Sequence, residues 1–597
     1  MKKLQRYISP GILVLFLLSV FLLRSCTGLA ILLENEYSRY AGFRSGILNF
    51  FDAVPTHEGF SRWVQQFFLQ FFPWHYAGSM IHSFLLILSC ILFRSLLNKF
   101  RSEEPGLNGF LAVFCFSLLM ISVQYELILL IEFSGVIFLT NVYISFRKNP
   151  MHLYLFPFLL ASGWLLFGIY SALIPVYILM FELSKNKSRK SILPVLIVSI
   201  IFSGILLYHY AYSQHRYEAL PMHIRFSTVI EILAYIVFVS TLLFFPVLVR
   251  HPEMKRHKSR TRTIILPISS LLVVLAAFIM NSGTNMKDMK TEARIRELFR
   301  LERWEEITDI AGRSDRLSHE ATIFANYALH RKGTLMEDLF TIPQDYASHG
   351  LMSSGDATDY GDEGGWIQEY TNKAQIVKIR TCQDIAFHNQ AYRFAHIMLM
   401  QNNSNPDILK LVATTHLANG EVKAAEKYIN LLEEMPFHKK WAHALREMAN
   451  EEPGILKYNT IENKAPRDVR ISYHARDNLE WLVSVSPGNR AAFEHLAAMV
   501  LLDKDVNAIP ALISLAGKSG IEQLPEQVEL FSYIYAEAHP EFYLEDYGYD
   551  HRQELYMSFH KFYSAVIRSR SLDQASSKLS MYKGGVLYYY FFTNESL

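Results

Sequence analysis

From residue 1 to about 284 the chain alternates apolar runs with short polar links, and every second link is basic. The basic links are Lys2-Lys3-Arg6, Arg94-Lys99-Arg101, Arg147-Lys148, Lys185-Lys187-Arg189-Lys190 and the run Arg250-Lys255-Arg256-Lys258-Arg260-Arg262. A helix needs about 20 apolar residues to cross a bilayer, with about 17 as a practical minimum. The runs 8–30, 76–97, 108–124, 126–146, 151–167, 168–184, 191–212, 226–249 and 263–281 therefore predict about nine spans. Short basic links stay on the cytoplasmic side. With an odd number of spans and a cytoplasmic N-terminus, residues 285–597 are placed outside the cytoplasm.

Beyond residue 284 the period changes to amphipathic helices of roughly 10–15 residues, arranged in pairs. In the clearest pair, Ile408 to Leu417 is followed by a turn at Asn419-Gly420 and by Val422 to Leu432. With Gly420 as the turn, Ala413 and Ala425 fall where two helices of a tetratricopeptide repeat touch, and Leu409 and Ile429 take its large apolar positions. Three further pairs are expected. Ile323–His330 leads through Lys332-Gly333 to Leu335–Phe340, and Ile376–Phe387 leads through Asn389-Gln390 to Ala391–Met400. Arg490–Leu502 leads to Val506–Leu515, and Trp304 should open the second helix of a first unit. The fold class expected is all-α: a transmembrane bundle over 1–284, then a tetratricopeptide-like helical repeat domain over 285–597. Such repeats stack because one unit cannot bury its apolar face alone.

Charge sharpens this division. Residues 1–284 hold 24 Lys and Arg against 12 Asp and Glu, whereas the remainder holds 34 against 44, so the two parts carry +12 and −10. Basic residues beside spans suit the anionic lipid of the cytoplasmic leaflet, and nucleic acid is not an expected partner. The lipid bilayer is. Of four cysteines, Cys26, Cys90 and Cys115 lie in or beside apolar runs and Cys382 stands alone in the second part, so no disulfide staples that part. The N-terminal run reads as an uncleaved anchor, since Arg24 sits poorly beside a cleavage point at Cys26. The expected location is the inner (cytoplasmic) membrane with a periplasmic C-terminal domain.

Two outer loops gather the candidate chemistry. The first, 31–75, interleaves Phe50-Phe51, Phe60, Trp63, Phe67-Phe68 and Phe71-Phe72 with Glu34, Glu36, Arg39 and Arg44, a composition suited to helices lying in the membrane interface. The second, 213–225, carries His215, Arg216, Glu218, His223 and Arg225. Glu126 and Glu182 lie near span ends, within reach of headgroups, while Glu132 and Glu231 lie deeper, where carboxylates are costly and point to function or to pairing. In 352–365, Asp356, Asp359, Asp362 and Glu363 lack the spacing of a calcium loop and read as solvated. No nucleophile elbow, phosphate loop or zinc helix motif is present in the sequence.

The chain resembles a family of uncharacterised bacterial polytopic membrane proteins with a tetratricopeptide-like tail. The resemblance is carried by Gln70-Phe71-Phe72-Pro73-Trp74, Arg303-Trp304-Glu305-Glu306-Ile307, Ala328-Leu329 with Gly333-Thr334-Leu335, and Leu417-Ala418-Asn419-Gly420 with Trp441-Ala442. It implies no established activity. Over residues 1–250 the layout is also similar to that of membrane-embedded GT-C type glycosyltransferases. That resemblance implies a carboxylate early in the first outer loop, here Glu34 or Glu36, in a Glu-Asn-Glu setting rather than an adjacent acidic pair.

Two functions follow as expectations. In the first, the chain transfers sugar from a lipid-linked donor: Glu34 or Glu36 is the base, and Arg39, Arg44, His215, Arg216 and Arg225 hold the donor. No cofactor is called for, and a divalent metal stays open beside the carboxylates. In the second, the chain is a non-enzymatic membrane scaffold whose residues 285–597 bind an exported protein.

Overall fold

The computed structural model describes residues 42–44, 49–51, 59–72, 74, 77–100, 105–117, 127–147, 152–185, 196–202, 284–351, 367–401, 405–451, 474–486 and 488–593. Among them all regular structure is helical. The chain divides into two compact units, with the boundary in sequence between Lys290 and Thr291.

The first unit contains α1 (Gly59–Leu69), α2 (Ala77–Phe100), α3 (Pro105–Ser117), α4 (Leu127–Phe146), α5 (His152–Phe167) and α6 (Leu173–Lys185). Their order can be read from contacts. At the end of α2, Asn98 accepts a hydrogen bond from Asn108 at the start of α3, 2.7 Å away, so these two helices are antiparallel. Between α2 and α4, Ser89 and Ser134 share a hydrogen bond of 2.7 Å, Asn141 donates to the Leu92 carbonyl at 3.0 Å, and Lys99 donates to Ser145 at 2.7 Å. Partner numbers rise together, so α2 and α4 are parallel. Helix α5 returns against α4: Tyr143 packs on Phe156, Leu139 lies beside Gly163, and Gly135 lies under Phe167. The last ends of α2, α4 and α6 converge, since Phe100 stacks edge-on to Phe181 and Arg147 pairs with Glu182. These ends fall at the basic links Arg94-Lys99-Arg101, Arg147-Lys148 and Lys185-Lys187-Arg189-Lys190.

Two described helices reach span length, α2 with 24 residues and α4 with 20. The expectation of about nine spans is corrected to that extent for the described residues. The segment 151–184 is divided by a 3₁₀ turn, Gly168–Ala172, in which Gly168 takes φ +55°. It therefore yields an α5 of 16 residues and an α6 of 13, each shorter than a full crossing. The expected spans 8–30, 226–249 and 263–281, the Gln124-Tyr125 hairpin and most of 191–212 lie outside the described residues.

Helix α7 (Thr284–Arg300) runs across the division between the units. The second unit continues with α8 (Trp304–Gly312), α9 (His319–Lys332), α10 (Leu335–Asp338), α11 (Ile367–Asp384), α12 (His388–Gln401), α13 (Pro406–Ala418), α14 (Val422–Glu433) and α15 (Lys439–Glu451). It ends with α16 (Ala475–Val485), α17 (Arg490–Leu502), α18 (Ile509–Lys518), α19 (Glu526–Ala538), α20 (Gln553–Ile567), α21 (Leu572–Lys578) and α22 (Val586–Phe592). Local chemistry sets many of the ends. Asn405 caps α13 by accepting from the amides of Asp407 and Ile408, with Pro406 at the first helical position, where its missing N–H costs nothing. Ser318 and Asn489 cap α9 and α17 in the same way. Gly333 and Gly420 end α9 and the α13–α14 turn at φ +73° and +77°, where a side chain would be strained.

Helix α8 begins at Trp304, and α13–α14 form a hairpin in which Ala413, Ala425, Leu409 and Ile429 are all fully buried. Two expected pairs differ. The partner of α9 is a single turn, α10, continued by a 3₁₀ turn to Thr341, rather than a full helix through Phe340. The turn between α11 and α12 lies at Ile385–Phe387, with Ala386 at φ +60°, so Asn389 and Gln390 are inside α12 rather than in the turn. One apolar core runs through the unit from Ile295 to Tyr589. Cys90, Cys115 and Cys382 are buried free thiols, and burial pushes the Cys382 thiol up to about 12.

Candidate functional site

Of the site residues expected from sequence, Glu34, Glu36, Arg39, His215, Arg216 and Arg225 lie outside the described residues, as do Glu126, Glu231 and the acidic loop 352–365. Arg44 is described and half-buried, next to Phe43. Phe43 packs against Trp63 and Phe67 of α1, with ring centroids 5.2 and 5.3 Å apart, and the aromatic series continues through Phe71 to Trp74. Helix α1 turns its small and polar residues, Gly59, Ser61 and Gln65, inward together with Leu69. The Ser61 hydroxyl donates to the Leu166 carbonyl at 2.7 Å, which fixes α1 on α5. The same rotation leaves Phe67 exposed.

The expectation that Glu182 reaches headgroups is corrected. Arg147 donates to both of its carboxylate oxygens, at 3.1 and 3.3 Å, and the Arg147 guanidinium also lies over the Phe181 ring. Glu182 is 1% exposed, and a buried carboxylate held bidentately by arginine is a packed structural pair. Glu132 is fully buried within α4, two residues from the Ser89–Ser134 bond.

In the second unit, helix packing assembles two polar clusters. One centres on Asp384 at the end of α11. Tyr327 donates to it at 2.8 Å and Arg331 at 3.1 Å, while His330 lies 3.6 Å away. Burial raises the Asp384 carboxyl, but the His330 contact and the Arg331 charge outweigh it and hold the group below its usual range. His495 of α17 packs its ring on His330 at 4.6 Å and bonds through Nδ1 to the Ala491 carbonyl at 2.9 Å. Burial, reinforced by His330, brings His495 down to about 3, so it is neutral at physiological pH. This cluster ties α9, α11 and α17 together.

The second cluster lies on the α12–α14 hairpins. His416 of α13 is buried, with Nδ1 2.6 Å from a Glu421 carboxylate oxygen and Nε2 3.2 Å from Nε2 of His396 on α12. Tyr428 stacks on the His416 ring and Tyr392 meets it edge-on. His396 is half-exposed, and burial followed by the neighbouring His416 lowers its proton affinity. Among the described residues no group of three or more His, Cys, Asp or Glu side chains is arranged to hold a metal ion. Sequence reasoning missed this pair because its members are 20 positions apart and meet only through helix packing.

Fold and site together define a protein whose described residues form two helical units, one with apolar helices of span length and one with a continuous apolar core. The chain belongs to a family of unknown function, DUF6057, whose model matches residues 43–593. No curated protein and no solved structure matches the chain.

Proposed function

We propose that this chain is a multi-pass integral membrane protein whose second unit is a tetratricopeptide-like platform, held outside the cytoplasm, that docks an exported protein. The observation that carries the membrane half of this reading is what the first unit leaves on its surface. Phe84 of α2 is 59% exposed and Phe158 of α5 67%, with Met80, Ile91, Phe138 and Leu165 also outward. Such a surface is a liability in water and ordinary in lipid. Helices α2, α4 and α6 end together at basic links, which supports a cytoplasmic placement of that end. For the platform, support comes from α11 to α15, where each helix packs on the next, and from Ala413 and Ala425, both fully buried in the α13–α14 hairpin.

A specific observation favours a second reading, sugar transfer from a lipid-linked donor. The aromatic series from Phe43 to Trp74 is suited to seating a lipid at the interface, and Arg44 stands beside it. In that reading Glu34 or Glu36 is the base, and Arg39, Arg44, His215, Arg216 and Arg225 hold the donor.

Topology is tested with terminal tags in intact spheroplasts. A C-terminal tag should be cut by added protease and an N-terminal tag spared; a protected C-terminus, or a chain recovered in the soluble fraction, overturns the placement. The two activities separate by complementation of a deletion strain. A platform keeps its function when residues 1–284 are exchanged for a plain single-span anchor. The transferase loses it there, and also with Glu34→Gln combined with Glu36→Gln.

A further inference from the structure

We propose that His396 and His416 form an open binding site for a divalent transition-metal ion such as zinc, with Glu421 holding His416 in the ligating tautomer. The argument begins at Glu421. Its carboxylate lies 2.6 Å from Nδ1 of His416, and a carboxylate can only accept there, so the ring proton sits on Nδ1. Nε2 of His416 is then a lone-pair donor. It faces a second imidazole nitrogen, Nε2 of His396, at 3.2 Å. Two imidazole nitrogens bound to one tetrahedral ion at about 2.0–2.1 Å stand about 3.3 Å apart, so the pair already has the required spacing.

The surroundings suit such an ion. Carboxylate–histidine–metal triads are the usual way to fix a ligating imidazole, and here the carboxylate comes from the α13–α14 turn, whose backbone is itself closed by the Glu421 amide donating to the His416 carbonyl at 2.8 Å. Tyr392 and Tyr428 wall two sides of the pair and limit ring rotation of His416. His396 is half-exposed, so the open side admits an ion from solvent and lets this ring adjust to it. Imidazole favours zinc, copper and nickel over calcium or magnesium. With two protein ligands, the remaining tetrahedral positions are left to water or to an oxygen donor brought by another molecule. The inference rests on the second unit alone and does not require the docking role above.

The test is a titration of the chelator-stripped full-length protein in detergent with zinc chloride, followed by calorimetry. Wild type should take up one ion per chain with a dissociation constant on the order of micromolar. His396→Ala should weaken uptake at least tenfold, and Glu421→Gln should weaken it roughly 10–100-fold. His443→Ala, at an exposed position on α15, should bind as wild type. Thermal melts in metal-free buffer establish that each variant is folded, and added zinc should raise the melting temperature of wild type but not of His396→Ala. Absence of uptake by wild type overturns the proposal, as does uptake by folded His396→Ala equal to that of wild type.

Discussion

On α2 the side chains of Ser79, His82, Ser83 and Ser89 are buried while Met80, Phe84 and Ile91 face out; on α14 Ala425, Tyr428, Ile429 and Leu432 are buried while Lys423, Glu426 and Lys427 face out. Both helices bury apolar residues. They differ in what they leave on the surface, and under the membrane placement proposed above that difference is set by the solvent. In water a charged face is free to hydrate and the core is all that must be hidden. In lipid the outward apolar side chains meet an equally apolar medium, so association has to come from close packing and from hydrogen bonds between helices. The first unit has both: the Ser89–Ser134, Asn141–Leu92 and Lys99–Ser145 bonds, and a glycine, Gly135, where an added methyl would run into the Phe167 ring.

The largest effect should come from the Arg147–Glu182 pair. Arg147→Ala leaves a 1% exposed carboxylate without its bidentate partner, and breaking a buried pair in this way typically costs about 3–5 kcal/mol. An exposed pair in the second unit, Arg313 with Asp309, is the contrast, since surface pairs contribute about 0–1 kcal/mol. Thermal unfolding of the purified full-length protein should therefore separate Arg147→Ala from Arg313→Ala by many degrees. Equal melting temperatures would mean that Glu182 is not held as described.

Next in size is a direct test of the two surfaces. Phe84→Lys puts an ammonium where lipid is expected, at a cost of about 2.5–3.5 kcal/mol for a site near the middle of a span. Met400→Lys, at an 83% exposed position of α12, should be within about 0.5 kcal/mol of wild type. Membrane-fraction yield and the melting temperature in detergent report both. If Phe84→Lys is as harmless as Met400→Lys, the outward face of α2 is not a lipid face and the contrast between the units fails.

Local signals were readable in the sequence, and long-range ones were not. Gly333 and Gly420 punctuate their turns because glycine reaches positive φ without strain, and the α8 start at Trp304 follows from period alone. The α11–α12 turn lies a few residues before the expected Asn389-Gln390 because it is made by Ala386 at φ +60°, and alanine is not a turn signal. The shortness of α10 is equally invisible in the sequence, since Leu335–Phe340 has an acceptable helical pattern. Within the first unit, alternation of basic links anticipated that α2 and α4 run parallel, whereas the burial of Glu182 depends on Arg147, 35 positions away. The same holds for His396 and His416: each is unremarkable in its own helix, and the pair exists only because α12 packs on α13.

The smallest expected effect concerns the second unit alone and follows from His495. In the unfolded chain a histidine takes up a proton near pH 6.5; buried between Ala491 and His330, this one does so only at about 3. Between those values the unfolded chain binds more protons than the folded one, so stability falls as pH is lowered. The contribution is fully present above about pH 6.5, declines as pH drops below it, and by pH 5 amounts to a loss of about 2 kcal/mol. Asp384 works in the same direction but lower on the scale, since its depressed carboxyl contributes above the ordinary carboxylate range and gives that up only as pH falls through the folded value. Chemical unfolding followed at pH 7.5 and pH 5 should show the loss in wild type and a visibly shallower dependence in His495→Gln, which removes the titrating ring. An unchanged slope in that variant would show that the pH sensitivity of this unit is not set at the contact between α9 and α17.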